Sequence, residues 1–164
     1  MYYHFFSDAS LKTNGQGKSA SVTGGVGMLA GGPIQTISSS QHLASPDSHT
    51  SEVVAAGVNV STIVPVNGLL QEMGIRLSRS CPFYLDSKTT VFVAVSNAAV
   101  KKSVWLLRRV AVLTDCTSGN EILPLHISEK DMVADPCTKY LPQVVWARHM
   151  KYLLNHDGHL AKWD

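Results

Sequence analysis

The first forty residues alternate between apolar and polar positions in a way that predicts three strands. Residues 2–6 are rich in aromatic side chains, and the run ends at Asp8, which predicts a first strand that stops there. Weak alternation over residues 20–30 and over 34–38, separated by a Gly31-Gly32-Pro33 turn, predicts two more. Because the connections are short, the three strands form an antiparallel meander.

The next apolar segment has helical spacing and predicts a long, irregular helix. We expect it to begin near residue 50, with Thr50 or Ser51 as the N-cap and Glu52 in the first turn, where an acid suits the helix dipole. Gly74 ends the segment. Pro65 lies inside it, which predicts a kink or a break.

Strands and helices alternate in the rest of the chain. A short apolar run ends at Asp86, as the first run ended at Asp8, and a helix capped by Asp86 or Ser87 follows. The remaining predicted elements are a helix over 104–113, a strand over 121–127 with Pro124 marking a sheet edge, a short helix capped by Ser128 that carries Asp131 and Asp135, and a last helix over 144–154. This order predicts a mixed sheet with helices on its faces.

Composition indicates one folded domain. The 164 residues are 45% hydrophobic and 16% charged, which is typical of a globular fold with a substantial core. We therefore assign residues 1–164 to a single domain, with 142–164 as its C-terminal helix and tail. The net charge of +2 is too small to identify a polyanionic partner. Three widely spaced cysteines indicate neither a disulfide framework nor a zinc site.

Targeting signals are not apparent in the sequence. The N-terminus has no basic region followed by an apolar run, and no uninterrupted apolar stretch reaches membrane-spanning length. We expect an intracellular protein without a membrane partner, either cytoplasmic, in a particle or replication complex, or nuclear.

Four acids stand at the ends of predicted elements: Asp8, Glu52, Asp86 and Asp135. Brought together by a fold, they would repel one another unless hard divalent cations neutralised them. Two such ions can activate water and stabilise the leaving oxygen of a phosphodiester. Most of the chain's 12 acids are expected to be surface charges, so the residues alone leave this reading as one of several. The glycines at 24, 25 and 27 fall inside the meander, which disfavours a dinucleotide-binding loop.

Short motifs along nearly the whole chain resemble the ribonuclease H domain of copia-type retrotransposon polyproteins. The family's Tyr-Ser-Asp-Ala is similar to Phe6-Ser7-Asp8-Ala9, its Gly-Gly-Pro-Ile turn to residues 31–34, and its Glu-Tyr-Val-Ala to Glu52-Val53-Val54-Ala55. Its late Leu-Ala-Asp-Ile-Phe-Thr-Lys resembles residues 133–139, which contain Asp135 and end in Thr138-Lys139. The order and spacing of these blocks make the resemblance specific.

The resemblance implies a fold, a reaction and a set of site residues. The fold is ribonuclease H-like α/β, a five-stranded mixed sheet of order 3-2-1-4-5 with helices on both faces. The reaction is hydrolysis of the RNA strand of an RNA–DNA hybrid with two magnesium ions, for which manganese is a substitute. Asp8 bridges both ions, Glu52 lies on the side of the leaving 3′ oxygen, and Asp86 and Asp135 each complete one shell. A reverse-transcriptase polymerase domain of the same polyprotein is the expected protein partner.

Contacts to the hybrid are expected from basic and hydroxyl side chains. The candidates are Ser10, Lys12, Ser39, Ser87, Lys88, Lys101 and Lys102. Ser87 replaces the asparagine of the family, and Thr50 replaces one of its acids. His126 lies in a predicted strand, where a structural role is favoured over a catalytic one.

Two alternatives remain open from the sequence. One is a catalytically silent ribonuclease H-like module that binds nucleic acid or a partner protein. The other is an unrelated mixed α/β binding domain with incidental acids.

Overall fold

The computed structural model describes residues 2–13, 19–42, 45, 47–75, 77, 80–96 and 104–155. Within these residues the elements follow one another as β1 (Tyr3–Thr13), β2 (Ser19–Leu29), β3 (Gly32–Ser40), α1 (Ser48–Glu72), β4 (Cys81–Leu85), α2 (Lys88–Val95), α3 (Val104–Ser118), β5 (Ile122–His126) and α4 (Gln143–Leu153). Two short 3₁₀ helices, Glu129–Asp131 and Asp135–Cys137, lie between β5 and α4.

The five strands form one mixed sheet of order β3-β2-β1-β4-β5. The β1–β2 and β2–β3 pairs are antiparallel, whereas β1–β4 and β4–β5 are parallel. The predicted meander, the strand order and the mixed sheet are therefore confirmed. Pro124 lies in β5, at the edge of the sheet, where a residue without an N–H group is tolerated.

Each face of the sheet packs on its own apolar layer. Phe5 and Phe83 point towards α1 and α3, and their cluster includes Val53 and Leu113. The neighbouring Phe6 points to the opposite face and stacks on Tyr84 at a centroid separation of 5.0 Å. Because successive side chains of a strand alternate between faces, the apolar run at the start of the chain feeds both layers.

The first strand is longer than its sequence predicts. We expected it to end at Asp8, but β1 continues to Thr13, paired with β2 over its whole length. What ends near Asp8 is the parallel pairing with β4, whose last partners are Ser7 and Leu85. Beyond that point β1 has β2 as a neighbour on one side alone, so Asp8 lies where the central strands diverge.

The start of α1 also differs from the prediction. The N-cap is Asp47, whose carboxylate accepts a hydrogen bond from the Thr50 backbone N–H at 2.6 Å, and neither Thr50 nor Ser51 is the cap. The helix begins at Ser48, which moves Glu52 out of the first turn. Its position is therefore not explained by the helix dipole.

Pro65 does not interrupt α1. The helix runs without a break from Ser48 to Glu72, so the predicted break is wrong. Both Pro65 and Ser61, whose carbonyl loses its helical partner, are exposed. Water can donate a hydrogen bond to that carbonyl, so the helix tolerates Pro65.

Within the described residues, α1 is the one helix long and apolar enough to cross a membrane, by length and composition only. Half of its most apolar window is buried in the protein, against the sheet and α3. The core helix of a folded domain meets the same criterion, so this helix is weak support for a membrane span.

Gly24 and Gly25 allow residues on both faces of the sheet to approach β2 closely. A Cβ at Gly24 would lie 3.1 Å from the Ala134 carbonyl oxygen and closer still to the Thr138 methyl group. A Cβ at Gly25 would lie 2.7 Å from the Asn59 Oδ1. Asn59 uses this space to donate from Nδ2 to the Gly24 carbonyl and the Ser7 hydroxyl, each at 2.8 Å.

Gly24→Ala should therefore lower the free energy of unfolding by about 1–3 kcal/mol, because the added methyl group overlaps the Thr138 methyl group and crowds the Ala134 carbonyl. Gly32→Ala is the matched control, since a Cβ there meets nothing within 4 Å. Urea denaturation of the two variants measures the difference. Equal stability of both variants would contradict the close packing at Gly24.

Candidate metal centre

Three of the four predicted acids converge. Asp8, Glu52 and Asp86 each offer a carboxylate oxygen, and these oxygens all lie within 4.8 Å of one another. Asp8 is 1% exposed, whereas Glu52 and Asp86 are half-buried. We name these residues the three-acid cluster.

The topology explains why residues so distant in sequence meet. Ser7 of β1 and Leu85 of β4 are register partners in the parallel pair, so Asp8 and Asp86 are the next residues at the same end of adjacent strands. Glu52 lies in the second turn of α1, which packs against β1. A central parallel strand pair and the beginning of one helix therefore carry the cluster.

Asp8 is held by Thr138 from the opposite layer. The Thr138 hydroxyl donates a hydrogen bond to the Asp8 Oδ2. Burial raises the pKa of Asp8 to about 7, against the lowering effect of that hydrogen bond and of the Lys139 charge. Asp8 is therefore a carboxylate whose negative charge is poorly solvated by the protein.

The other two members are shifted in the same direction. Burial and the charges of Asp8 and Asp86 raise the pKa of Glu52 to about 9, against a hydrogen bond from the Ala9 backbone. The pKa of Asp86 is raised as well, chiefly by burial. Carboxylates this close repel one another when ionised, and a cation relieves that repulsion.

Asp135 lies next to the three-acid cluster but not in it. It begins the second 3₁₀ helix, is 4% exposed, and its charge raises the pKa of Asp8 and of Asp86. Its Oδ1 forms an ion pair with the ammonium nitrogen of Lys139, four residues later in the chain, at 2.9 Å. The structure thus brings all four predicted acids to one region, and it gives the fourth a lysine partner.

The segment around Asp135 differs from the predicted single helix. Two separate 3₁₀ helices occupy it, and Ser128 makes no side-chain cap. Pro136 follows Asp135 directly, and its ring is compatible with the first position of a helical turn. Asp135 therefore starts a turn of its own rather than continuing one from residue 128.

Two serines fasten this segment to the sheet. The Ser10 hydroxyl donates to the Thr138 carbonyl at 2.7 Å, and the Ser38 hydroxyl donates to the Cys137 carbonyl at 2.7 Å. Sequence reasoning did not assign roles to Thr138, Lys139 or Ser38. The motif Thr138-Lys139 in the family block was the available signal.

The predicted nucleic-acid contacts are distributed around the three-acid cluster or lie outside the described part of the chain. Ser87 caps α2, accepting from the Thr90 backbone N–H at 3.2 Å, and Lys88 is exposed on the first turn. Lys101 and Lys102 fall outside the described residues, as does the side chain of Lys12. These contacts stay predictions.

Ser39 lines an open groove of about 450 Å³ between β3 and the second 3₁₀ helix. Ser40, Lys139 and Tyr140 also line it, and Tyr140 is 100% exposed. Since Ser38 shares a register row with Gly24, the partner of Asp8, the groove begins at the level of the three-acid cluster.

The donor set fits a hard divalent cation. The cluster offers carboxylate oxygens alone, which Mg²⁺ and Mn²⁺ prefer, and none of its members is neutralised by a salt bridge within the described residues. Burial and neighbouring acids raise the pKa of all three members, so a bound cation would stabilise their ionised forms.

Comparisons with known proteins agree with this architecture. No family model matches the chain, and no curated protein matches it by sequence. Among solved structures, LC11-RNase H1 isolated from compost is similar with a TM-score of 0.61 and 13% identity, over 84% of this chain and 92% of that one. The N-terminal RNase H domain of Rv2228c from Mycobacterium tuberculosis has a TM-score of 0.62 and 12% identity, over 92% and 96%. The PFV RNase H domain has a TM-score of 0.57 and 13% identity, over 79% and 81%.

These likenesses establish the class to which the architecture belongs. The chain has the ribonuclease H fold, with the strand order and the flanking helices predicted for it. Its three-acid cluster lies at the diverging end of the central parallel strands of that fold.

Proposed function

We propose that the protein is a metal-dependent nuclease that hydrolyses the RNA strand of RNA–DNA hybrids. One observation carries the proposal, which is the convergence of three carboxylates within 4.8 Å at the centre of a ribonuclease H fold. LC11-RNase H1, which shares the fold, has been solved in complex with an RNA/DNA hybrid.

Asp8, Glu52 and Asp86 would hold magnesium or manganese, with Asp135 completing the set for a second ion. When bound, the cations supply a water activated as nucleophile and stabilise the leaving 3′ oxygen. Asp8 is oriented by Thr138 and lies deepest, as expected for the acid shared by both ions. Glu52 comes from α1 on the other face of β1, so the cluster is held from both layers of the protein.

Substrate binding is assigned to the surface around this centre. Lys88 and Ser87 lie on one side of Asp86, and the groove with Ser39 and Tyr140 lies beyond Asp8. Hydroxyl groups and an exposed aromatic ring suit contact with a nucleic-acid backbone and an unstacked base. Such contacts read the shape of the hybrid rather than its sequence.

The copia-type resemblance refines this proposal. It assigns the domain to a retrotransposon reverse transcriptase, with a polymerase domain as a neighbour and a cytoplasmic particle or the nucleus as its location. Among the structures that share the fold, the foamy viral protease-reverse transcriptase is a longer protein, of which this chain covers 19%.

A cleavage assay tests the proposed activity. Incubation with a labelled 20-base-pair RNA–DNA hybrid and magnesium should release RNA fragments, whereas the matching DNA duplex and the chelated reaction should not. Intact RNA in the presence of either magnesium or manganese would contradict the nuclease.

A second candidate function is a silent module that binds hybrids without cutting them. It is favoured by the Lys139 ammonium, which already neutralises Asp135. Hybrid binding in a gel-shift assay, with no cleavage under either metal, would select it.

A further inference from the structure

Lys139 is a basic side chain beside the candidate metal centre, where it forms an ion pair with Asp135. Its ammonium lies 2.9 Å from the Asp135 Oδ1, and the lysine side chain is 33% exposed against 6% for its partner. The ion pair is therefore covered on the aspartate side and open to solvent on the lysine side.

The influence of Lys139 extends past its partner. Lys139 directly follows Thr138, which is hydrogen-bonded to Asp8, and its positive charge lowers the pKa of Asp8, Glu52 and Asp86. Burial lowers the pKa of Lys139 itself, but the hydrogen bond to Asp135 and the charge of Asp8 outweigh burial and raise it. Lys139 is thus a charged member of the site.

Hydrogen bonds to the sheet hold the backbone next to Lys139, whereas its side chain is held by the ion pair alone and is partly exposed. Ser10 and Ser38 hold the carbonyls of Thr138 and Cys137, and Thr138 is bound to Asp8. A lysine has four rotatable methylene bonds and a compact ammonium. The ammonium can therefore leave Asp135 for solvent while the main chain stays in place.

We propose that Lys139 is an internal counter-ion that competes with a divalent cation for Asp135, so that the metal centre fills in two steps. This inference rests on the proposed function, since it concerns the same metal centre. The first ion takes the three-acid cluster, none of whose members is ion-paired to a lysine within the described residues. The second needs Asp135 and binds only as the ammonium withdraws.

Charge balance supports this order. Two divalent cations bring four positive charges, and four carboxylates balance them only if the ammonium has moved away. With one cation bound, that cation and the ammonium neutralise all but a small part of the negative charge of the four carboxylates, so this state is electrostatically favourable. Repulsion between the ammonium and a second cation weakens the binding of that cation by at least ~10-fold.

Titration with Mn²⁺ tests the inference without reference to cleavage. Wild-type protein should bind one Mn²⁺ tightly and a second at least ~10-fold more weakly, as measured by calorimetry and by electron paramagnetic resonance of free Mn²⁺. Lys139→Met should bind the second ion at least ~10-fold more tightly than wild type, with the first ion little changed. Lys151→Met, which removes an exposed lysine of α4, is the matched control and should titrate like wild type.

A double variant keeps the test valid if Lys139→Met folds poorly. Asp135→Asn/Lys139→Met removes both charges, so it should melt near the wild-type temperature without metal and bind a single Mn²⁺. A second-ion affinity that is the same in wild type and Lys139→Met, with the first ion bound in both, would overturn the role of Lys139. Failure of every variant and of wild type to bind any Mn²⁺ would instead overturn the proposed function.

Discussion

Asp8→Asn should reduce the rate of hybrid cleavage by at least ~10³-fold while the protein remains folded. Asp8 is the most deeply buried member of the three-acid cluster, and every other acid of the site acts on it electrostatically or is affected by it. Asparagine has the same shape and can still accept the Thr138 hydrogen bond, so the geometry is retained. The lost charge removes the ligand expected to be shared by both cations.

Asp131→Asn is the control for this substitution. Asp131 is an exposed acid in the first 3₁₀ helix, and it undergoes the same chemical change without being part of the cluster. Its rate of cleavage should stay within about twofold of wild type. Steady-state cleavage with magnesium and circular dichroism on the same samples give the comparison. A nearly wild-type rate for Asp8→Asn would remove Asp8 from the active site.

The metal-free protein should lose several kcal/mol of stability as the pH rises from 4 to 9. The folded-state pKa values of Asp8 and Glu52 are raised to about 7 and about 9, from 3.8 and 4.5. Between the lower and the upper values the folded state binds more protons than the unfolded state. The stabilisation is therefore fully present below pH 4 and is lost as the pH rises through 7 and then 9.

Two variants separate this effect from the titration of other groups. Glu52→Gln and Asp8→Asn remove the shifted carboxylates, so each should be more stable than wild type at pH 8 by about 1–3 kcal/mol and should show a flatter pH profile. Millimolar magnesium should stabilise wild type at pH 8 but have little effect on Asp8→Asn. Urea denaturation at several pH values measures all three. A wild-type stability that rises from pH 5 to pH 9 without metal would show that the cluster is not under electrostatic strain.

The four acids were selected from the sequence because each stands at the end of a predicted element and because the family resemblance distinguishes them from the other acids of the chain. Asp86 follows an apolar strand as predicted, whereas Glu52 lies in the second turn of α1, so their convergence depends on the β1–β4 register and on the packing of α1. The structure confirms that Asp8, Glu52 and Asp86 meet. Their roles in binding and catalysis stay predictions.

The end of β1 was predicted wrongly because a strand and its partners need not end together. Apolar residues stop at Asp8, where the pairing with β4 stops, but hydrogen bonds to β2 continue to Thr13. The end of the apolar run at Asp8 therefore marks the end of the β1–β4 pairing and not the end of β1. The predicted break at Pro65 was also wrong, because the exposed side of a helix tolerates a residue without a backbone N–H.

The surroundings of Asp135 were not predictable from local patterns. Its ion pair with Lys139 has helical spacing, yet the segment is a single 3₁₀ turn anchored by Ser10 and Ser38 from distant strands. Gly24 makes that anchoring possible by leaving room for Thr138. Such contacts depend on tertiary packing, which one sequence does not reveal.

The two serine hydrogen bonds have a dynamic consequence. They are side-chain contacts at the border of the sheet, so the segment they hold can detach by local opening while the strands beneath it stay paired. Backbone amides of residues 137–139 should therefore exchange with deuterium faster than those of β1 and β2, and each such opening would uncover Asp8 on the side that Thr138 now covers.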